Sequence, residues 1–356
     1  MKKLLKIISL SILAIIIVLA AFIRITTFHP DDIEDIKVFC NENVKPIDEN
    51  KKLKILSWNI QFLAGKNYIF FFDVENNEGP DEKPSKKDIE LTLNETVRII
   101  IDEKPDIILL QEVDDAADRT YKEDQLQKIL EKLPKEYGCH ASAFYWKAFF
   151  IPHPRIMGSA GMKLSTISKY KINEAVRYQL PKMPADIVSS NFQLKRAILE
   201  TTFEISNSKK LVVYNTHLDA FAQESDTMEK QVQMTKNLLL KTKNPWLIGG
   251  DFNLLPSKKS YERLQKSQKY LYKTETELKP FFEYFNSFPS LKQIESDEYE
   301  KYYTHWPNDE DVKKPDRTID YIFYSKNIKP INHYVRQKDT LKISDHLPLL
   351  MEFIFD

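Results

Sequence analysis

The chain has 356 residues, 42% of them hydrophobic and 29% charged, with 52 lysines and arginines balancing 52 aspartates and glutamates. That composition belongs to folded protein and excludes a largely disordered chain. It also lacks the overall basic excess with which a nonspecific nucleic-acid binder displaces counterions from a phosphate backbone.

Met1 to Ile23 holds three lysines and then an uncharged run from Ile7 to Ile23, apolar apart from Ser9 and Ser11. At about 1.5 Å per residue the run reaches about 25 Å, the lower limit for crossing a bilayer. A cleaved signal peptide carries a shorter apolar region, and Ala20 and Ala21 offer small residues for a cut. Residues 1–23 therefore read as a transmembrane anchor, with a signal segment as the alternative. Either way Lys2, Lys3 and Lys6 stay cytoplasmic and the remainder lies outside, attached to the cell membrane or secreted. Without that segment the neutral balance becomes a slight acidic excess.

Residues 24–52 read as a tether, because Phe28 to Lys52 is polar, proline-containing and aperiodic. Cys40 and Cys139 are the only cysteines. They can pair in an oxidising compartment, yet two cysteines do not make a disulfide framework. One domain is expected over 53–356. Leu53 to Leu63 reads as a strand, and Ile89 to Ile101 as a helix with Ile89, Leu93, Val97 and Ile100 on one face. Asp106 to Val113 is an apolar run of the kind buried on both faces. A helix over 121–133 precedes an aromatic stretch, Phe144 to Pro154. Strands are expected at 163–170, 175–180, 196–205, 211–218, 246–253, 316–325, 332–337 and 349–355, with a helix over 224–241. Strands and helices are interspersed without repeats, which predicts one layered α/β domain.

Five short segments place an Asn, Asp, Glu or His at the end of an apolar strand: Ser57-Trp58-Asn59, Gln111-Glu112, Asn215-Thr216-His217, Gly250-Asp251-Phe252-Asn253 and Ser344-Asp345-His346. A polar residue that ends a buried strand can face a cleft while the strand holds it rigid. Any one of the five has a bland reading as a turn former, a solvated loop or a structural histidine. Five in succession are hard to explain as packing.

In this order, with Ile319-Asp320-Tyr321-Ile322 between the last two, the segments resemble the endonuclease/exonuclease/phosphatase superfamily, which includes DNase I, AP endonucleases, neutral sphingomyelinases and inositol polyphosphate 5-phosphatases. The resemblance spans about residues 53 to 356. It implies a four-layer α/β sandwich, two mixed β-sheets flanked by helices, with a Mg²⁺ site at one edge and Mn²⁺ as a substitute ion. Glu112 would be the principal metal ligand, with Asn59 beside it and Asp345 near. Asp251 and Asn253 would orient and deprotonate the attacking water, His217 and His346 would face the phosphate, and Asp320 would hold His346 in one tautomer. Asp251 and His346 both remain options for the general base, Tyr145 and Arg196 for further phosphate contacts, and His217 has no assigned acid partner.

The chemistry asks for such a set. An anionic phosphoester repels water, so its hydrolysis needs a hard cation on oxygen ligands and donors for the charge on the equatorial oxygens. No Cys/His cluster indicates zinc. Gly249 and Gly250 mark either a close backbone approach or a bulge. The aromatic segments Tyr68 to Phe72 and Phe144 to Ile151 are either core strands or exposed loops that dip into lipid. The expected function is hydrolysis of a phospholipid, phosphosphingolipid or related phosphodiester. The alternatives are an exported DNase-type endonuclease and a catalytically silent binding module.

Overall fold

Leu53–Asn59 and Ile107–Asp114 are buried at nearly every position, as strands covered on both faces must be. The computed structural model describes residues 1–66, 68, 83–206, 209–220, 222 and 224–355. Along the chain its strands are β1 (Ile33–Asp35), β2 (Val38–Cys40), β3 (Leu53–Asn59), β4 (Ile107–Asp114), β5 (Cys139–Ile151), β6 (Gly158–Ser168) and β7 (Ile172–Gln179). They continue as β8 (Ala197–Ile205), β9 (Lys209–His217), β10 (Trp246–Asp251), β11 (Asn286–Phe288), β12 (Asp320–Tyr324), β13 (Ile328–Val335) and β14 (Leu349–Phe355). The helices are α1 (Lys2–Thr26), α2 (Lys86–Glu103), α3 (Gln125–Lys132), α4 (Ser189–Phe192), α5 (Thr227–Lys241), α6 (Lys258–Arg263), α7 (Lys279–Tyr284) and α8 (Leu291–Glu295).

Two seven-stranded sheets form the middle layers, one ordered β13-β14-β3-β4-β6-β5-β2 and the other β1-β7-β8-β9-β10-β12-β11. Each contains one parallel pair, β3 with β4 and β9 with β10, among antiparallel neighbours. Between the sheets Ile55 and Leu109 share a core with Val213 and Leu247. Outside them, Ile89 and Leu93 of α2 and Ile129 of α3 pack on Leu56 and Ile108, while Met228 and Val232 of α5 and Phe281 of α7 pack on Val212 and Ile248. This is the four-layer sandwich of two mixed sheets, preceded by an apolar helix long enough to cross a membrane.

The paired glycines serve close approach. A Cβ on Gly249 would lie 2.9 Å from Leu109 Cδ1 and 3.1 Å from Ser57 Oγ, both in the facing sheet. Gly250 has φ +155°, and a Cβ there would come within 2.0 Å of the Thr216 carbonyl oxygen. No bulge is involved, since β10 keeps continuous register with β9 and β12 as far as Asp251.

One expectation needs correction. Residues 24–52 are not simply a spacer, because β1 and β2 within them extend the edges of both sheets, on β7 and β5. Strands of three residues are too short to show periodicity. A disulfide joins Cys40 to Cys139, which face each other across β2 and β5. Phe144 to Ile151 is strand, not loop, with Tyr145 and Ala148 buried and Phe149 and Phe150 facing solvent. Of the segment Tyr68 to Phe72, all but Tyr68 lies outside the described residues.

Helix α1 buries none of its residues. Its exit is nevertheless fixed: Thr27 pairs with Ala148 of β5, and the Phe28 amide donates to the Lys147 carbonyl at 3.2 Å.

Candidate active site

Strand pairing collects the site residues at one end of the two sheets. Parallel pairing sets Asn59 opposite Gln111 and His217 opposite Asp251, and the antiparallel β10–β12 pair sets Asp251 opposite Asp320. Ser344, Asp345 and His346 arrive in the loop before β14. The Trp58 indole holds that loop by donating to the His346 carbonyl at 2.9 Å, and Ser344 Oγ donates to the Asn59 carbonyl at 2.9 Å.

Two motif residues stand beneath the site. Gln111 Nε2 donates to Asn215 Oδ1 at 2.7 Å, and Asn215 Nδ2 donates to the carbonyls of Leu110 and Ser165, each at 3.0 Å. Gln111 and Asn215 thus join the two sheets through a buried polar network. Glu112 escapes that layer because its φ is +56°, at a register shift between Leu110 and Val113. Asn253 has φ +52°. Left-handed backbone at non-glycine residues is uncommon and gathers at functional sites.

Asp251 is the hub. Its Oδ2 accepts from Asn59 Nδ2 at 3.1 Å and lies 3.3 Å from His217 Nε2 and 3.5 Å from His346 Nε2. Its Oδ1 accepts from the Asn253 amide at 2.9 Å. Burial, with the negative charge of Asp320 adding to it against the attraction of His346, pushes the Asp251 carboxyl up to about 7. Asn59 also donates to Glu112 Oε1 at 3.1 Å, while its own oxygen accepts from the Gln61 amide at 3.0 Å. Asn59 therefore spans two carboxylates, and its oxygen already has a partner.

The histidines are driven apart. Burial alone would push His346 down, but Asp320, 2.9 Å from Nδ1, and Asp251 near Nε2 outweigh it and hold the imidazole well above its usual range. His217 is held well below that range by burial and by the positive charges of Arg196 and His346. One imidazolium and one neutral imidazole flank Asp251, a division of protonation that suits acid–base chemistry. The acid beside His217 is Asp251, with Glu112 Oε1 3.9 Å from Nδ1. The Tyr145 hydroxyl is hydrogen-bonded to that Nδ1 at 3.3 Å.

His305 joins the site without a strand-end signal in the sequence. It lies in coil, paired with His346 and Arg317, with its ring 4.5 Å from that of His346 and its Nε2 3.9 Å from Asp345 Oδ2. Its buried Nδ1 has no hydrogen-bond partner. His305, Asp345, His346, Asn253 and Arg317 line a small cavity of about 90 Å³. Arg196, which borders Tyr145, donates from Nε to Asp219 at 3.2 Å and leaves Nη1 buried and unpartnered.

Among the described residues no lysine or arginine comes within ion-pair distance of Glu112, Asp251, Asp320 or Asp345. Burial raises the Asp345 carboxyl, and the charge of Glu112 adds to the rise. Crowded carboxylates with imidazoles and the Asn59 amide between them form a donor set that fits a hard divalent cation. The acid and histidine atoms of Asp251, Asp320 and His346, and those of His305, Asp345 and His346, lie close enough to share an ion.

A sequence profile of the Endonuclease/Exonuclease/phosphatase family matches residues 56–346. A search of curated proteins finds no match. Solved structures of the same fold include an endonuclease/exonuclease/phosphatase from Beutenbergia cavernae, at 18% identity and TM-score 0.57, covering 86% of this chain and 72% of that one. A family protein from Leptotrichia buccalis has 17% identity and TM-score 0.55, covering 85% and 100%. The human Nocturnin catalytic domain with bound sulfate anion has 19% identity and TM-score 0.50, covering 90% and 98%.

Proposed function

The chain belongs to the endonuclease/exonuclease/phosphatase family, whose members hydrolyse phosphoesters, and on that premise we propose that it is a Mg²⁺-dependent phosphodiesterase held to a membrane by α1, acting on a phospholipid or phosphosphingolipid. The observation that carries this reading is the geometry around Asp251, whose Oδ2 lies 3.3 Å from His217 Nε2 and 3.5 Å from His346 Nε2; burial pushes its carboxyl up to about 7. A group with its pKa near working pH is suited to accept the proton of an attacking water.

Asp251 is the general base in this proposal, positioned by Asn59 and by the Asn253 amide. His346 is a donor and not a base, because Asp320 keeps it charged. Its Nε2–H and Asn253 face the phosphate, where negative charge grows as the water bonds to phosphorus. His217 keeps Asp251 oriented from the other side. Glu112 and Asp345, with Asn59 beside them, would hold Mg²⁺ or Mn²⁺. The bound ion supplies positive charge against the phosphate oxygens.

Membrane attachment outside the cytoplasm draws support from two features. Helix α1 is about 37 Å long by its residue count and buries none of its residues against the domain. The Cys40–Cys139 bond suits an oxidising compartment.

The test uses the full-length protein in detergent micelles with bis(p-nitrophenyl) phosphate as a soluble ester. Turnover is expected with Mg²⁺, lost in EDTA and restored by excess Mg²⁺, and undiminished turnover in EDTA would overturn the metal assignment. Vesicles of phosphatidylcholine or sphingomyelin are expected to be cut faster than DNA, and the reverse order would replace the lipid reading with the nuclease one.

A further inference from the structure

Beside the site lies a second cavity, larger and different in character. It encloses about 610 Å³, within the range of pockets that bury a small ligand. Its wall is mainly apolar: Trp146 and Ile151 from β5, Ile156 from the following turn, Met183, Phe192 and Leu194. Arg196, Asp219 and Ala220 form one end. Ala220 also lines the small cavity that holds His305 and His346, so the two spaces adjoin.

The other side of this groove faces the exit of α1. Thr27 pairs with Ala148, and the next two residues of β5, Phe149 and Phe150, point to solvent, Phe149 with 72% of its surface exposed. Ile187 and Val188, on the strap that carries Met183 and Phe192, are also exposed, Ile187 at 89%. The positive charges of Arg24, Lys195 and Lys182 all act on His29 at this exit. A helix of bilayer length, exposed aromatic and aliphatic side chains and the exposed cations Arg24 and Lys182 thus share one aspect of the molecule, as expected where a protein rests on a lipid surface.

We propose that this groove seats one hydrocarbon chain of a phospholipid drawn from the bilayer that holds α1, with its phosphate placed between Arg196 and the Asp251 site. The assignment rests on the reading of that site as a phosphoester hydrolase. It accounts for the polarity of the groove, mainly apolar along its length with the Arg196–Asp219 pair where it meets the site. It also gives a use to Arg196 Nη1, a buried donor that no protein acceptor satisfies. A water-soluble phosphoester leaves the apolar wall unfilled, whereas each methylene buried there adds to binding.

The experiment reconstitutes full-length protein into phosphatidylcholine nanodiscs containing a trace of phosphatidylcholine with a diazirine at mid-chain, followed by irradiation and peptide mapping. Adducts are expected within residues 146–156 and 183–194. Met183→Trp and Ile156→Trp, each filling the groove from a half-buried position, are expected to lower those adducts by about tenfold. Turnover of bis(p-nitrophenyl) phosphate should be unchanged in both, which also reports that they fold. If a variant loses that turnover, the adduct map of the unsubstituted protein alone decides. Adducts confined to α1, or undiminished in both folded variants, overturn the groove assignment and leave the phosphoester reading intact. Groove adducts in a protein that hydrolyses no phosphoester overturn the reading of the site instead, and the claim of a substrate chain falls with it.

Discussion

At the start of β3, Lys54 donates to Glu103 at 2.6 Å and to the Tyr334 hydroxyl at 3.1 Å. Arg336 donates to Glu103 at 2.8 Å, to Asp102 at 2.6 Å and to Asp339 at 2.7 Å. At the other end of the same strand Asn59 bridges Glu112 and Asp251, with Asp320 and Asp345 beside His346 and His305, and among the described residues imidazoles stand in place of lysine and arginine. One end has matched its charges, and the other keeps carboxylates crowded and buried. Matched charges serve the fold, while carboxylates in excess of their one imidazolium raise the free energy of the folded state and leave it ready for a cation and an anionic substrate.

The largest expected contrast is between Asp251→Asn and Arg336→Ala. Asp251→Asn should lower kcat on a soluble phosphodiester by about 10²–10⁴. It should leave the melting temperature unchanged or higher, because a buried carboxylate is replaced by an amide of the same shape. Arg336→Ala should do the opposite, losing about 1–3 kcal/mol of stability as the acids around it lose a shared partner. Its kcat per folded molecule should stay at wild type. Activity and urea denaturation of both proteins check the pair, and a stability loss in Asp251→Asn with activity retained would invert the comparison.

The next contrast is in pH dependence. At Glu103 burial pushes the carboxyl up, but hydrogen bonds from Lys54, Tyr334 and Arg336 outweigh it and hold it below its ordinary value of 4.5. A depressed carboxyl contributes stability above its unfolded pKa and loses it as pH falls through the folded one. The stability gap between wild type and Glu103→Gln should therefore be full at pH 7 and close in acid, below pH 4.5. Asp251 has the other sign. Raised from 3.8 to about 7, it contributes stability below its unfolded pKa that is lost as pH rises to about 7, and His346, raised by its carboxylates, continues the loss above its ordinary value of 6.5. In EDTA the wild-type protein should lose stability between about pH 4 and 7, and Asp251→Asn should flatten that slope. Denaturation midpoints at pH 4, 5.5 and 7 separate the two signs.

The matched end of β3 was invisible in the sequence, and the crowded end largely legible. Asn59, His217 and Asp251 each end an apolar run, so strand pairing alone sets them side by side. Lys54, Glu103, Tyr334 and Arg336 come from β3, α2, β13 and the residue after it, and nothing local marks them as partners. His305 was hidden for the same reason: it lies in coil and is placed by pairing with His346 and Arg317. Gln111 and Asn215 were legible as motif residues, but their place beneath the site follows from the facing of two sheets, which no spacing along the chain encodes. The edge strands β1 and β2 escaped because three residues show no alternation.

The smallest expected effect concerns Tyr145, which stands between the site and the apolar groove. Its hydroxyl is hydrogen-bonded to His217 Nδ1 at 3.3 Å, and burial raises its pKa well above the ordinary value, so it keeps its proton at every working pH. The Asp251 carboxylate, 3.3 Å from Nε2, favours the tautomer of neutral His217 with its proton on Nε2, which leaves Nδ1 to accept from the Tyr145 hydroxyl. Tyr145→Phe keeps the ring that packs beside Arg196 and removes only the hydroxyl. His217 is then free to take the other tautomer and turn a lone pair toward the Asp251 carboxylate. One neutral hydrogen bond is worth about 0.5–1.5 kcal/mol, so kcat should fall by about two- to tenfold with KM little changed. The acid limb of the pH–rate profile should also move, because the group beside Asp251 no longer donates to it in every molecule. A purely structural hydroxyl would lower the melting temperature and leave that profile in place.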